Sequence, residues 1–231
     1  MTSSRSSQRG SLPSPGLKTR KVLSASRSVH ADGTTSLTGM QLFDPSGARK
    51  YLTESERAGF LKAAEHFPRE VRSLCLLLAW SGCRLSEALA LTADRVDLVA
   101  GVVIFESLKK RQAGIYRAVP VPPVVLETLD LVHGVRQVQK KRDRGQSLRL
   151  WPVARMTGWR MVHRVMQEAG LSGPAASPKG LRHAFGVAAV SKGIPLNLIQ
   201  KWLGHAQLST TAIYANASGQ EEHHIAQRLW G

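Results

Sequence analysis

From Leu52 onward, apolar and polar positions follow the periods a packed body needs, whereas residues 1 to about 45 are rich in serine, glycine and threonine without a sustained period of 3.6 or 2. Thr53 followed by Glu56 fits a capping box opening a helix that runs to about residue 66. A second helix is predicted over 69–80, interrupted by Ser81-Gly82. A third is predicted over 84–91, where Leu85, Ala88 and Leu89 share one face at i, i+3, i+4 spacing. β-rich runs at 102–105 and 115–121 flank the polar stretch Leu108 to Gly114, which reads as a hairpin loop. Pro122-Pro123 ends the second run. One helix is then expected from 124 to about 140, with a basic, loop-like stretch over 136–149. Further helices are predicted at 158–169, 179–191, 196–203, 211–217 and 221–229. The expected class is mostly α with one small antiparallel β-sheet (α+β), without internal repeats.

Charge changes this picture. Lys and Arg number 32 against 16 Asp and Glu, a formal net charge of +16 on 231 residues, with an isoelectric point near 10.8. That excess is more than solubility requires and points to a polyanionic partner, nucleic acid being the commonest. Eight basic residues against two acids lie in the first 50 positions. The segment 1–45 cannot bury enough apolar area to offset its ordering entropy, so it reads as a disordered basic tail preceding a folded domain over 46–231. The longest apolar run, Leu74 to Trp80, is far shorter than the roughly 20 residues of a membrane span. No apolar region of signal-peptide type follows the amino terminus. A membrane or exported protein is therefore not expected, and the cytoplasm is. Cys75 and Cys83 lie in or beside apolar helical sequence and read as reduced core thiols.

Four separated features carry chemistry. Arg84 follows a helix break, with Glu87 three residues on; Lys109 and Lys110 lie at the hairpin; Lys179 and Arg182 open a helix; His205 follows Gly204, with Tyr214 nine residues later, after a Ser209-Thr210-Thr211 run suited to capping. Singly, each has an ordinary reading: a helix salt bridge for Arg84 with Glu87, a guarded strand edge for the lysines, a helix-end residue for His205 and a half-buried core aromatic for Tyr214. Jointly, two arginines, a lysine or two, a histidine and a tyrosine form a cationic pocket suited to a phosphodiester. Arginine's planar fork matches phosphate oxygens and stays charged, and a tyrosine hydroxyl is a competent nucleophile. No acidic pair for a two-metal site stands out, and His183, His205, His223 and His224 lack ligand spacing with the cysteines.

In this ordered set the chain resembles the tyrosine recombinases, the phage-integrase family of site-specific DNA recombinases, over about residues 50 to 230. Residues 81–91 (SGCRLSEALAL) resemble the family's first arginine motif, 180–185 (GLRHAF) the second, and 200–214 (QKWLGHAQLSTTAIY) the nucleophile segment. The resemblance implies the family's catalytic-domain fold over 46–231. It also implies cleavage and rejoining of duplex DNA through a 3′-phosphotyrosine, with no cofactor, metal or ATP. Arg84 and Arg182 would hold the scissile phosphate, Tyr214 would attack it and His205 would hydrogen-bond it. Lys109, or its neighbour Lys110, would protonate the leaving 5′-oxygen. Lys179 stands where the family usually has histidine, lysine being a known variant there. Implied partners are double-stranded DNA, a homotetramer on two DNA sites, and an accessory DNA-bending protein or a full-length recombinase. Family members normally carry a helical core-binding domain, whereas only about 50 unpatterned residues stand upstream here. Competing readings are a DNA-binding or regulatory protein derived from the fold, a type IB-like topoisomerase and, more remotely, a metal-dependent nuclease.

Overall fold

The computed structural model describes residues 41–107, 114–141, 148–216 and 226–227. Helix α1 (Glu54–Ala64) begins with the expected capping box: the Glu56 amide donates to Thr53 Oγ1 at 3.2 Å, and the Thr53 amide donates to the Glu56 carboxylate at 2.7 Å. Helix α2 (Arg69–Ser81) buries residues around most of its circumference, including Val71, Leu74, Cys75, Leu77, Leu78 and Ala79. A helix apolar on several faces needs neighbours on several sides. These are α1, α4 (Pro123–His133), α6 (Arg155–Glu168) and α7 (Pro178–Ser191). Gly82 ends α2 in the left-handed conformation, at φ 59°, and the short α3 (Leu85–Leu89) starts immediately after Arg84. Helix α8 (Leu196–Leu203) and α9 (Ser209–Ala212) follow α7, and a 3-10 turn over Ile213–Asn216 extends α9.

The sheet is antiparallel in the order β1 (Val96–Asp97), β2 (Val102–Glu106), β3 (Tyr116–Pro120). Val103 pairs with Val119, and Phe105 with Arg117. Along β3 every second residue faces inward, so Arg117 and Val119 are buried while Tyr116 and Ala118 face out. Two-residue β1 is too short to leave a periodic trace, and sequence reading missed it.

Three expectations need correction. The helix expected over 124–140 is two, because Gly134 adopts φ 63° and the chain restarts as α5 (Val135–Lys140), with the Asp130 carboxylate accepting from the Arg136 amide at 2.8 Å. The helix expected over 211–217 starts at Ser209 and tightens to a 3-10 turn; no side chain caps it, because the cap position falls on Leu208, and the Thr211 hydroxyl meets His205. Packing also reaches upstream of the boundary expected near 45, since Leu42 is buried beside Tyr51, Val187, Ile199 and Leu203. The basic tail up to residue 40 and most of the helix expected over 221–229 lie outside the described residues.

The core has two parts. The larger surrounds α2 and includes Phe60, Leu74, Leu77, Trp151 and Leu181. The smaller joins α7, α8 and the upstream segment, with Tyr214 as one of its fully buried members. Complete burial of one large apolar side chain contributes roughly 1.5–3 kcal/mol, so the ring of Tyr214 serves the fold whatever else its hydroxyl does. Both cysteines are free and buried, and burial pushes each thiol up to about 12. No helix among the described residues is long and apolar enough to cross a membrane.

Candidate active site

The αL turn at Gly82 redirects the chain so that Arg84 occupies the cap position of α3 in extended conformation. Its backbone amide donates to Glu87 Oε2 at 2.8 Å, and its guanidinium donates to Oε1 at 2.7 Å. The ordinary salt-bridge reading of Arg84 is therefore correct and incomplete, since the same side chain lines the pocket described below. The Glu87 carboxylate is fully buried and also receives both Nη atoms of Arg117, at 3.2 and 2.6 Å. Burial alone would raise its pKa. The hydrogen bonds and charges of Arg117 and Arg84 outweigh that, and the carboxyl is held below its ordinary range. Arg117 spends its remaining Nε on the Trp202 carbonyl at 2.7 Å, tying β3 to the end of α8.

Arg182 comes from the second turn of α7, whose start is fixed by Ser177 accepting from the Gly180 amide at 3.1 Å and by Pro178 in the first turn. One Nη donates to the Gly82 carbonyl and the other to the Leu203 carbonyl, both at 2.7 Å. Burial, reinforced by the nearby Arg84 cation, lowers Arg182 to about 10, so it remains charged at neutral pH. Arg182 thus clips together the two turns that present Arg84 and His205. Lys179, one turn earlier on α7, lines the same pocket.

His205 follows Gly204, which closes α8 at φ 66°. Its amide donates to the Gln200 carbonyl at 3.1 Å, and its Nδ1 lies 2.9 Å from Thr211 Oγ1. Burial first, then the charges of Arg182 and Arg84, depress it to about 3, so the ring is neutral at physiological pH. With Thr211 on Nδ1, Nε2 is the ring nitrogen left for a ligand. The Tyr214 ring stacks at 16° to the His205 ring, with centroids 6.2 Å apart, and its hydroxyl lies 3.2 Å from Nδ1 of His183. Burial raises the Tyr214 pKa against the opposing pull of Arg182 and Arg84.

These groups surround a pocket of about 380 Å³, lined by Arg84, Lys179, Arg182, His183, His205 and Tyr214, with Arg155 and Trp159 of α6 also bordering it. Five of the six positions expected from the sequence thus converge; Lys109 and its alternative Lys110 lie outside the described residues. The root of their hairpin is described: the Ser107 amide donates to the Ile115 carbonyl at 2.8 Å, and Ser107 and Ile115 share a smaller cavity with His205. Among the described residues no cluster of metal-ligating side chains occurs. A set of fixed cations and neutral hydrogen-bonding groups around a phenol can hold a phosphodiester's oxygens and present a nucleophile to its phosphorus.

Sequence reading missed Arg117, although a signal existed: it stands in register with the apolar Val119 on an alternating strand, an inward position where arginine demands a buried partner. Trp159 and Arg155 were also missed. Nothing in the spacing of α6 distinguishes them from an exposed helical face.

The family model for the phage integrase family matches residues 50–221. The chain is 28% identical over 200 residues to the tyrosine recombinase XerA of Thermococcus kodakarensis, covering 81% of this chain and 67% of that protein. It is 30% identical over 199 residues to XerD of Pasteurella multocida, covering 80% and 63%. The chain thus spans about two thirds of the length of these relatives. In fold it is similar to a crystal structure of XerA recombinase, with TM-score 0.65 at 23% identity over 78% of this chain and 65% of that one. It is also similar to XerH site-specific recombinase bound to difH substrate, with TM-score 0.61 at 21% identity over 82% and 60%. The mostly helical body with its three-stranded antiparallel sheet is the tyrosine recombinase catalytic-domain fold. By its sequence over residues 50–221 and by this fold, the chain belongs to the phage integrase family of tyrosine recombinases.

Proposed function

We propose that this chain is a site-specific DNA recombinase that cleaves and rejoins duplex DNA through a 3′-phosphotyrosine at Tyr214. The observation that carries this reading is one pocket in which Tyr214 meets Arg84, Arg182, His205 and Lys179, contributed by segments far apart in the chain. Arg84 and Arg182 bind the non-bridging oxygens and stabilise the charge of the pentacoordinate transition state. His205, neutral and oriented by Thr211, donates from Nε2 to the same phosphate. Tyr214 Oη gives up its phenolic proton to water and forms a bond to phosphorus as the bond to the 5′-oxygen breaks, and the hairpin lysine, Lys109 or its neighbour Lys110, gives that oxygen its proton. The phosphotyrosine conserves the bond energy, so the free 5′-hydroxyl of a partner strand reverses the step without ATP or metal.

Double-stranded DNA is the substrate in this reading, in the cytoplasm of a bacterial cell and in association with a nucleoid or plasmid. Strand exchange takes place in a homotetramer on two DNA sites, with an accessory DNA-bending protein or a full-length recombinase as further partner.

The test needs no knowledge of the target site. Supercoiled plasmid is incubated in EDTA with the protein or its Tyr214→Phe variant, and protein-linked DNA is sought after denaturation. Linkage by the parent protein alone is expected. Linkage that persists in Tyr214→Phe moves the nucleophile elsewhere, and linkage that requires a divalent cation overturns the metal-free mechanism.

A further inference from the structure

Tyr214 lies in a slot whose shape fixes its direction. The floor is Gly186, where a β-carbon would sit 2.6 Å from the phenol ring; one face is covered by His205; the hydroxyl end meets His183. His183 and Gly186 are three apart on α7, so both project onto the strip of helix the tyrosine covers. Arg182, next to His183 in sequence, points a different way, to the carbonyls of Gly82 and Leu203. Consecutive helix positions therefore divide the work: one serves the anion pocket and the next serves the phenol.

His183 is 2% exposed, and its Nδ1 is the hydrogen-bond partner of Tyr214 Oη recorded among the described residues. Its Nε2 is buried with no partner there. The charged groups facing it are Lys179 and Arg182 on α7 and Lys50 from the upstream segment. Burial first, then these three cations, leave the imidazole neutral, so one ring nitrogen is a lone-pair acceptor. A neutral phenol has one hydrogen to give, and the acceptor facing it is Nδ1.

We propose that His183 is the positioning residue for the nucleophile. By accepting the phenolic hydrogen on Nδ1, it turns the oxygen's lone pairs toward the pocket that holds the phosphate. The proposal rests on Tyr214 being the nucleophile and assigns no proton transfer to His183; it fixes the direction in which Oη is presented. In this geometry an unpartnered Nε2–H is the cost of keeping Nδ1 free of hydrogen.

Two variants and one measurement on the unaltered chain test it. His183→Leu removes the acceptor at similar bulk, whereas His183→Asn keeps an oxygen near the place of Nδ1. Covalent linkage to plasmid DNA in His183→Leu should slow by about tenfold, the worth of one hydrogen bond. His183→Asn should recover most of that rate, and DNA affinity should be the same in both. The Tyr214 ring-carbon Cζ resonance, assigned by its loss in Tyr214→Phe, should move in His183→Leu and return toward its place in His183→Asn, with Tyr51 and Tyr116 unmoved. In the unaltered chain, nitrogen NMR of His183 should find Nδ1 without hydrogen. A hydrogen on Nδ1 overturns the proposal even if His183→Leu fails to fold. So does a folded His183→Leu that links DNA at the parental rate, or a His183→Asn as slow as His183→Leu. Linkage surviving in Tyr214→Phe is a different failure: it removes the nucleophile assignment, while the resonance and nitrogen readings still report the contact itself.

Discussion

At Gly186 the missing side chain is filled by another residue's ring. A β-carbon there would stand 2.6 Å from Cε2 and Cζ of Tyr214, closer than packed atoms approach, and the fully buried ring has little room to yield. Gly186→Ala is expected to cost about 1–3 kcal/mol by overpacking and to displace Oη from its place beside His183. Covalent linkage should then fall steeply while DNA affinity is kept; gel-shift titration beside a denaturing linkage assay reads both, and parental linkage would show that the slot tolerates a methyl. The positions of Arg84, Arg182, His205 and Tyr214 were legible because their chemistry is local to short motifs. The contact of His183 was not: it stands inside the second arginine motif, and only the fold reveals that its Nδ1 faces the phenol.

At the level of elements, Glu87 and Arg117 form the joint. One carboxylate receives Arg84 from the α3 turn and Arg117 from β3, and Arg117 reaches on to the end of α8. Removing one partner of a buried ion pair leaves an uncompensated charge and typically costs about 3–5 kcal/mol. Arg117→Met is therefore expected to lower stability by about that amount in urea unfolding, with the loss sharply reduced in the double variant Arg117→Met, Glu87→Leu. Strictly additive losses would mean that the two side chains do not depend on each other. The helices that carry this joint were legible from period and capping, Thr53 with Glu56 being the clearest case. The break at Gly134 and the short strand β1 were not, because a left-handed glycine inside an apolar run and a two-residue strand leave no periodic signature. Arg117 needed the register with Phe105 before its inward position meant anything.

For the whole molecule, burial and surrounding cations hold His205 at about 3 and His183 at about 4, both below the ordinary imidazole value. An unfolded chain takes up protons on these rings from about pH 6.5 downward, while the folded chain keeps them neutral. Stability present above that pH is thus lost as pH falls toward about 3. The urea midpoint should be lower near pH ~5 than near pH ~7, and the drop should be shallower in His205→Gln; an undiminished drop would place the acid sensitivity elsewhere. The basic tail belongs to this scale too. Deleting residues 1–40, which spares the packed Leu42, should weaken DNA binding and flatten its dependence on salt, and an unchanged slope would make the tail idle. The long reach of the clips around the pocket has a consequence in time. Arg182 closes onto a carbonyl 100 residues earlier in the chain, and Arg117 waits for one 85 residues later. During synthesis the amino-terminal half emerges first, so a chain still short of Trp202 holds Arg84, Arg117 and Arg182 but neither the carbonyl that fixes Arg117 nor the tyrosine. In the proposed mechanism, cleavage of DNA therefore becomes possible only as the segment carrying His205 and Tyr214 docks, and fraying of that segment removes both together, leaving a cationic protein without its nucleophile.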